Sequence, residues 1–490
     1  MPLICRELGL FMAMSKEMRR RVSAFVVAVI LVAALDRSSP GDFYAQIPAS
    51  SHGWKAGVAR IVITPRHSLW MAGYASRARP SQGKLQDLYA KALALEDEHG
   101  KRVVIVTTDL IGLSHSIAEP VATRAHQMFG LPRSHLLLTA SHTHCGPALH
   151  GSLEGMMSGA KLSPRQKAAI DEYSRQLEDR LVTVIDEALR ELSPARLSFS
   201  RSEATFGVNR RERGPNGVQF GSDKNGVVDH DVPVLRVDSP QGRMRAVLFG
   251  YACHNTALPG EFYKFAGDYA GFAQAAIEKA HPGTTALFMM GCGGDVNPQP
   301  NGTPELALQH GQSLASSVER AMSSSPVPVR GPLRIAFDRF MLPLAAAPTE
   351  KELLKQVSDP DRFRRSHASR LLARLKRDGK LPSELKYTAQ VFQFGSELTM
   401  VALAGEVVSD YALRLKRELG SHGLWVASYS NDVFGYVPSA RVLKEGGYEA
   451  DGSVVFYDLP APFAPAAEEK IITKVHEMVR ECGRRPLAGR

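Results

Sequence analysis

Val103-Val-Ile-Val-Thr-Thr108, a helically spaced run from Ser116 to Phe129, and Leu136-Leu-Leu-Thr-Ala-Ser-His-Thr-His-Cys-Gly-Pro147 follow one another in this order. Short apolar runs separated by a segment of 3.6-residue period read as strand, helix and strand. That grammar predicts an α/β body, a mixed and largely parallel sheet core with flanking helices. The pattern extends both ways. Upstream, Trp54 to Pro65 reads as an alternating strand closed by a proline turn. Ala90 to Asp97 reads as a strand separated from Val103 by the turn at Glu98-His99-Gly100. Downstream, Lys167 to Glu191 is a long amphipathic helix. Val234 to Val237, Met244 to Ala252 and Thr285 to Met290 are strands, with a helix from Tyr269 to Ala280. Gln390 to Phe394 pairs with Leu398 to Leu403 across Gly395-Ser396, and Ala467 to Arg480 closes the chain as a helix.

The chemistry gathers where these strands end. In α/β folds, loops at the carboxyl ends of strands are held by a rigid sheet and build the sites. Leu136 to Ala140 runs into Ser141-His142-Thr143-His144, Met244 to Ala252 into Cys253-His254-Asn255-Thr256, and Thr285 to Met290 into Gly291-Cys292-Gly293-Gly294-Asp295. Leu398 to Leu403 delivers Ala404-Gly405-Glu406 in the same manner. His142 and His144 lie on one side of an extended segment, which reads as one ligand and one acid/base or hydrogen-bonding partner. Two neutral imidazoles and a carboxylate with an open position form the ligand set of a catalytic zinc site. Blander readings stand beside this one: core histidines, Glu406 capping a helix from Val407 to Glu418, and Arg210 solvated in its charged run. Asp109 and Asp268 read either as histidine orienters or as turn residues.

These motifs carry a resemblance. Ser141-His-Thr-His-Cys-Gly-Pro147, Tyr251-Ala-Cys-His254, Gly294-Asp-Val-Asn-Pro298, Ala404-Gly-Glu406, and Tyr436-Val-Pro-Ser439 with Tyr448-Glu449 look like the motifs of the neutral/alkaline non-lysosomal ceramidases, in the same order from about Gly57 to Pro462. The resemblance implies a Zn²⁺ ion held by His142, His254, Glu406 and Tyr436, with His144, Arg210 and Tyr448 lining the substrate amide. It implies hydrolysis of the N-acyl linkage of ceramide-like lipids to a fatty acid and a sphingoid base. Asn297 stands where the family carries a serine, which closes a covalent serine route there but leaves a hydrogen-bond donor for an oxyanion. The rival readings are a zinc hydrolase of another amide or ester, and a metal-binding homologue without turnover. A cysteine hydrolase built on Cys145 or Cys253 is a weaker alternative. The family's pattern continues into a smaller β-sandwich domain, whereas the residues through Arg490 match the catalytic part.

The chain has 490 residues, of which 44% are hydrophobic and 22% charged. That profile excludes disorder, collagen and coiled coil. Arg19-Arg-Arg21 precede the uncharged run Ala24 to Leu35, which fits the hydrophobic region of a signal peptide and is short for a membrane span. Residues 1–50 are accordingly expected to be a leader and linker and 51–490 the catalytic domain. An exported protein follows, either cleaved or signal-anchored. Cys145, Cys253 and Cys292 read as small buried residues under the site, with a Cys145–Cys253 or Cys253–Cys292 bridge as the alternative. Lys351 to Lys380 carries ten Lys/Arg against four Asp/Glu, a local +6 within an expected basic helical insertion at 349–382. Such a run is either a solvated face or a peripheral contact with a membrane surface. No recognised nucleic-acid module accompanies it.

Overall fold

In the computed structural model, residues 53–484 are described, residue 161 excepted; the expected leader lies outside them. The strands begin with β1 (Trp54–Val62), β2 (Tyr89–Glu96), β3 (Arg102–Thr108), β4 (Leu136–Ala140), β5 (Ser193–Glu203) and β6 (Gly207–Gly214). They continue with β7 (Gly217–Asp223), β8 (Asp231–Asp238), β9 (Met244–Tyr251), β10 (Thr285–Met290), β11 (Val296–Pro298) and β12 (Val327–Val329). Last come β13 (Leu333–Pro343), β14 (Glu384–Phe394), β15 (Leu398–Leu403), β16 (Glu406–Val407), β17 (Leu424–Ala427) and β18 (Tyr436–Val437). The helices are α1 (His115–Phe129), α2 (Glu154–Gly159), α3 (Pro164–Arg190), α4 (Asp268–Ala280), α5 (Pro304–Ser323) and α6 (Glu350–Gln356). They end with α7 (Arg362–Asp378), α8 (Ser409–Leu419), α9 (Ala440–Glu445), α10 (Val454–Tyr457) and α11 (Ala466–Glu481).

The main sheet runs β10-β9-β8-β5-β1-β2-β3-β4, and a second sheet runs β13-β14-β15-β17. Side chains alternate across each strand, and the alternation shows what covers each face. Val104 and Val106 of β3 face α1 and α3, together with Leu136 and Leu138. Val103 and Ile105 face the second sheet, meeting Phe392, Phe394, Met400 and Trp425. The outer face of that second sheet packs on α8 and α11 through Tyr411, Leu415, Ile471 and Val475. The described residues therefore stack as helix, sheet, sheet, helix. Gly57 permits the tightest of these contacts, since a Cβ there would sit 1.9 Å from the Ala188 carbonyl of α3.

The mixed α/β architecture with flanking helices is as expected, but the balance of strand directions is different. In the main sheet only β3–β4 and β9–β10 run parallel, and every other neighbouring pair is antiparallel. The five residues between β2 and β3 can make a hairpin but not a parallel crossover, which needs a dozen or more. Strands buried on both faces read as continuous apolar runs whether helices or a second sheet covers them, and this is why the runs suggested a parallel sheet. The parallel minority nevertheless carries the chemistry. β4, β9 and β10, and β15 paired in parallel with β17, all discharge from their carboxyl ends into the same centre.

Candidate active site

β4 ends in a sharp reversal at His142, whose φ of 61° lies in the left-handed region. A β-carbon there costs about 1–3 kcal/mol, a strain that holds only where surrounding contacts enforce it. Here they do. The imidazole is buried, its ring centroid is 4.4 Å from that of Tyr429, and its Nδ1 is 2.5 Å from the carbonyl of Ile111. His254, beyond β9, is held the same way, with Nδ1 2.8 Å from the Gly293 carbonyl. A carbonyl can only accept, so each Nδ1 carries the proton and each Nε2 turns a lone pair inward. Both lone pairs meet the same carboxylate oxygen. Glu406 Oε2 lies 3.1 Å from His142 Nε2 and 3.2 Å from His254 Nε2.

Glu406 arrives by a separate route. The two-residue strands β16 and β18 pair in parallel, setting Glu406 directly beside Tyr436. The Tyr436 hydroxyl then lies 3.2 Å from His254 Nε2. His144 joins the group, its Nε2 3.2 Å from that of His142, and the three imidazoles offer ring nitrogens within 4.8 Å of one another. Burial, helped by the Arg210 charge, pushes His254 down to about 4, and burial holds His144 well below its ordinary value. Burial alone would raise Glu406, but His142 and His254 outweigh it and hold the carboxyl well below the usual range. The result is an anionic carboxylate beside the neutral rings of His254 and His144.

Acceptor lone pairs converging without a proton between them repel unless a cation lies among them. Ligands of a tetrahedral zinc ion at about 2.0–2.1 Å stand roughly 3.3–3.4 Å apart, close to the spacing of this cluster. The residues present therefore fit the metal that the pattern implied, and each histidine already has the carbonyl partner that fixes a ligand's tautomer.

Arg210 stands on β6 beside β11, and its alternative as a solvated charge is excluded because it is buried. Its Nε donates to Glu449 at 2.7 Å, its Nη2 to the Tyr436 hydroxyl at 2.9 Å and its Nη1 to Asn297 Oδ1 at 3.2 Å. Thr256 donates to the same Asn297 oxygen at 3.4 Å, so the amide NH₂ of Asn297 is turned away from both donors. Tyr448 reaches the group through its ring, 5.3 Å from Tyr436.

The cap reading of Glu406 does not hold, because α8 starts only at Ser409 and the carboxylate faces the histidines. Asp109 accepts from the Tyr89 amide and Gln274, and Asp268 from the amides of Ala257, Leu258 and Tyr269; neither carboxylate bonds a site histidine. Cys145, Cys253, Cys292 and Cys482 are free and buried, so neither bridge forms. Burial pushes the Cys145 thiol up to about 12 and the Cys253 thiol well above its ordinary value, which removes the thiolate that a cysteine hydrolase needs. One site residue had no signal in the sequence: Tyr457 on α10, whose hydroxyl donates to Glu406 Oε1. A lone tyrosine in an irregular stretch has no period or strand end to mark it.

A model described as neutral/alkaline non-lysosomal ceramidase, N-terminal, matches residues 54–338, more than half of the chain. The chain belongs to the neutral/alkaline non-lysosomal ceramidase family. Neutral ceramidase A of Dictyostelium discoideum is 27% identical over 249 residues, covering 47% of this chain and 34% of that protein. Neutral ceramidase of Mycobacterium tuberculosis is 25% identical over 253 residues, 47% of this chain and 38% of that one. The match thus spans little more than a third of these relatives. Among solved structures, neutral ceramidase from Pseudomonas aeruginosa shares the fold with a TM-score of 0.70 at 19% identity, over 90% of this chain and 76% of that one. The ceramidase family model ends before Glu406, Tyr436, Tyr448 and Tyr457, so for these residues the placement rests on the geometry above.

Proposed function

We propose that this chain is an exported zinc-dependent amidohydrolase that cleaves the N-acyl linkage of ceramide-like lipids, with a fatty acid and a sphingoid base as products. The observation that carries the reading is the meeting of His142 Nε2, His254 Nε2 and Glu406 Oε2 at 3.1 to 3.2 Å, each histidine proton being committed to a backbone carbonyl. Family membership and the neutral ceramidases among the relatives support the substrate class, and the leader sequence supports export.

His142, His254, Glu406 and Tyr436 would hold the ion. When bound, zinc supplies Lewis acidity, polarising a carbonyl and bringing the pKa of a water towards neutrality. The other residues have their own tasks. His144 is neutral and beside the donor cluster, so its Nε2 is placed to take a proton from the attacking water and return it to the leaving amine nitrogen. Asn297, with Oδ1 held by Arg210 and Thr256, keeps its Nδ2 hydrogens for the developing oxyanion. Tyr448, whose ring lies 5.3 Å from that of Tyr436, would offer the substrate a second hydroxyl. Arg210 ties Tyr436, Asn297 and Glu449 into one unit rather than standing free.

Elemental analysis of the purified chain is expected to show one zinc per molecule. His142→Ala and His254→Ala are each expected to remove both metal and activity, and full zinc occupancy in the double variant would refute the ligand set. A panel of ceramide, other N-acyl amides and esters assigns the substrate. Asn297 supports one rival, a homologue that keeps the metal without turnover; in that case zinc-loaded protein is inert on the whole panel.

A further inference from the structure

The three site histidines are not held alike. Nδ1 of His142 and of His254 each meets a backbone carbonyl, whereas Nδ1 of His144 is buried with no hydrogen-bond partner among the described residues. Nothing polar fixes the His144 ring from its Nδ1 side, so its aim comes from packing and from its own backbone. The packing is supplied by the segment between β1 and β2. Gly73, at φ 98°, lies against the imidazole: a β-carbon there would stand 2.6 Å from Cγ and 2.7 Å from Nδ1. The Tyr74 ring meets the same imidazole edge to face at 4.9 Å, and its hydroxyl donates to the Leu258 carbonyl at 2.6 Å.

The backbone of His144 is held from two directions. Its amide donates to the Asn255 carbonyl at 3.3 Å, and its carbonyl accepts from Arg77 Nη1 at 2.6 Å. The same guanidinium donates to the carbonyls of Ala72 and Phe262 and lies 4.9 Å from the centre of the Tyr74 ring. Arg77 is 2% exposed, and its hydrogen-bond partners among the described residues are these carbonyls and the Cys145 thiol, with no carboxylate. Burying a charge without a counter-ion is costly unless hydrogen bonds offset it. Here they tie together three segments: residues 72–77, the histidine turn after β4, and the connection from β9 to α4. The Ala72 amide adds a bond to the Gly146 carbonyl at 3.1 Å, so residues 72–77 grip that turn at both His144 and Gly146.

We propose that Arg77 is a positioning residue for the hydrolysis: with Gly73 and Tyr74 it aims His144 at the reacting atoms, in place of the hydrogen bond that this imidazole lacks. The inference rests on the hydrolase reading, in which His144 Nε2 takes a proton from water and returns it to the leaving nitrogen. Aim matters for such a group, because a displacement of about 1 Å can cost on the order of 100-fold in rate. Zinc binding should not depend on the same segment, since Ile111 and Gly293, which hold His142 and His254, lie outside it.

The test is steady-state turnover of an N-acyl substrate by Arg77→Met and Gly73→Ala, each with its melting transition and zinc content compared with the parent, and each repeated in a His144→Ala background. In both variants kcat is expected to fall on the order of 10- to 100-fold, with KM within a few-fold of the parent and zinc affinity retained. With His144 already replaced, neither substitution should lower kcat further, because the group they aim is gone. The loss of stability caused by Gly73→Ala should also shrink in that background, where the ring its β-carbon meets is missing. A purely structural role would lower the folded fraction and leave kcat per folded, zinc-loaded molecule unchanged. That result overturns the proposal, as do rate losses that multiply with His144→Ala or a Gly73→Ala destabilisation that is the same in both backgrounds. If Arg77→Met does not fold, Gly73→Ala decides alone, since its β-carbon meets a side chain rather than backbone. A zinc-loaded parent that is inert on every N-acyl substrate removes the hydrolase reading and this inference with it; an active parent whose variants match it removes this inference alone.

Discussion

Asn297 is the residue on which the chemistry turns. Its oxygen is occupied by Arg210 and Thr256, so only its NH₂ group can serve a substrate. If the attack is by metal-activated water, Asn297→Ser keeps a short donor and should leave activity within roughly tenfold. Asn297→Leu removes the donor and should cost about 2.7–4 kcal/mol, or roughly 10² to 10³ in rate. Both variants are measured on one N-acyl substrate after their zinc content is matched to the parent. A gain of orders of magnitude in Asn297→Ser would instead identify the parent as a homologue disabled by the loss of serine. Tyr457 acts one step further out. Its hydroxyl holds Glu406 Oε1, leaving Oε2 to the histidines. Tyr457→Phe should weaken zinc binding by about 10- to 100-fold in a chelator competition, with little change in melting temperature because the ring is retained.

Short elements with tight neighbours deliver the ligands. β16 has two residues, and Gly294 packs against its backbone: a β-carbon there would stand 2.7 Å from the Glu406 carbonyl oxygen and 3.0 Å from that of Val407. Backbone at that distance has to move, and Glu406 moves with it. Gly294→Ala is therefore expected to weaken zinc binding and to destabilise the fold by about 1–3 kcal/mol. Gly57→Ala makes the matching control. Its clash lies between β1 and α3, so it should lower the unfolding midpoint in denaturant while the folded fraction retains the parent's zinc affinity. Similar zinc affinities in both folded variants would argue against Gly294 as the residue that seats the carboxylate strand.

Across the whole molecule, Asp432 shows how the layers are coupled to pH. It lies in the segment between β17 and β18, and its carboxylate accepts from the amide of His115 at the start of α1, 3.0 Å away. Burial pushes its pKa up to about 7, with Glu119 adding to the rise and the His115 amide opposing it. A carboxyl that holds its proton more tightly in the fold than in the unfolded chain makes folding less favourable as pH rises. This penalty grows from about pH 4, the unfolded value, and is complete above about pH 7. Asp432→Asn keeps the acceptor oxygen and removes the charge. Its stability relative to the parent, from urea unfolding, should be near zero or negative at pH 4 and rise to on the order of 1 kcal/mol or more in its favour at pH 8. A difference that does not vary with pH would show that this carboxyl is not the coupled group.

What was legible in the sequence was local. β4 and β10 fall where the apolar runs place them, and His142, His254 and Glu406 follow strand ends, where the ladder stops and loops held by the sheet build the site. The β14–β15 hairpin was equally plain, since Gly395-Ser396 interrupts two apolar runs. The partner of each face was not legible. Val103 and Val104 look alike in sequence, yet one meets a second sheet and the other a helix, because alternation records that a face is buried and not what buries it. Only the tertiary structure sets two imidazoles against one carboxylate oxygen, turns the amide of Asn297 by way of Arg210 on the neighbouring strand, and brings Tyr457 to Glu406 from 51 residues away. A strand end records where the chain leaves the sheet; which atoms a side chain then meets depends on contacts between segments far apart in the chain, and those are fixed only when the layers pack.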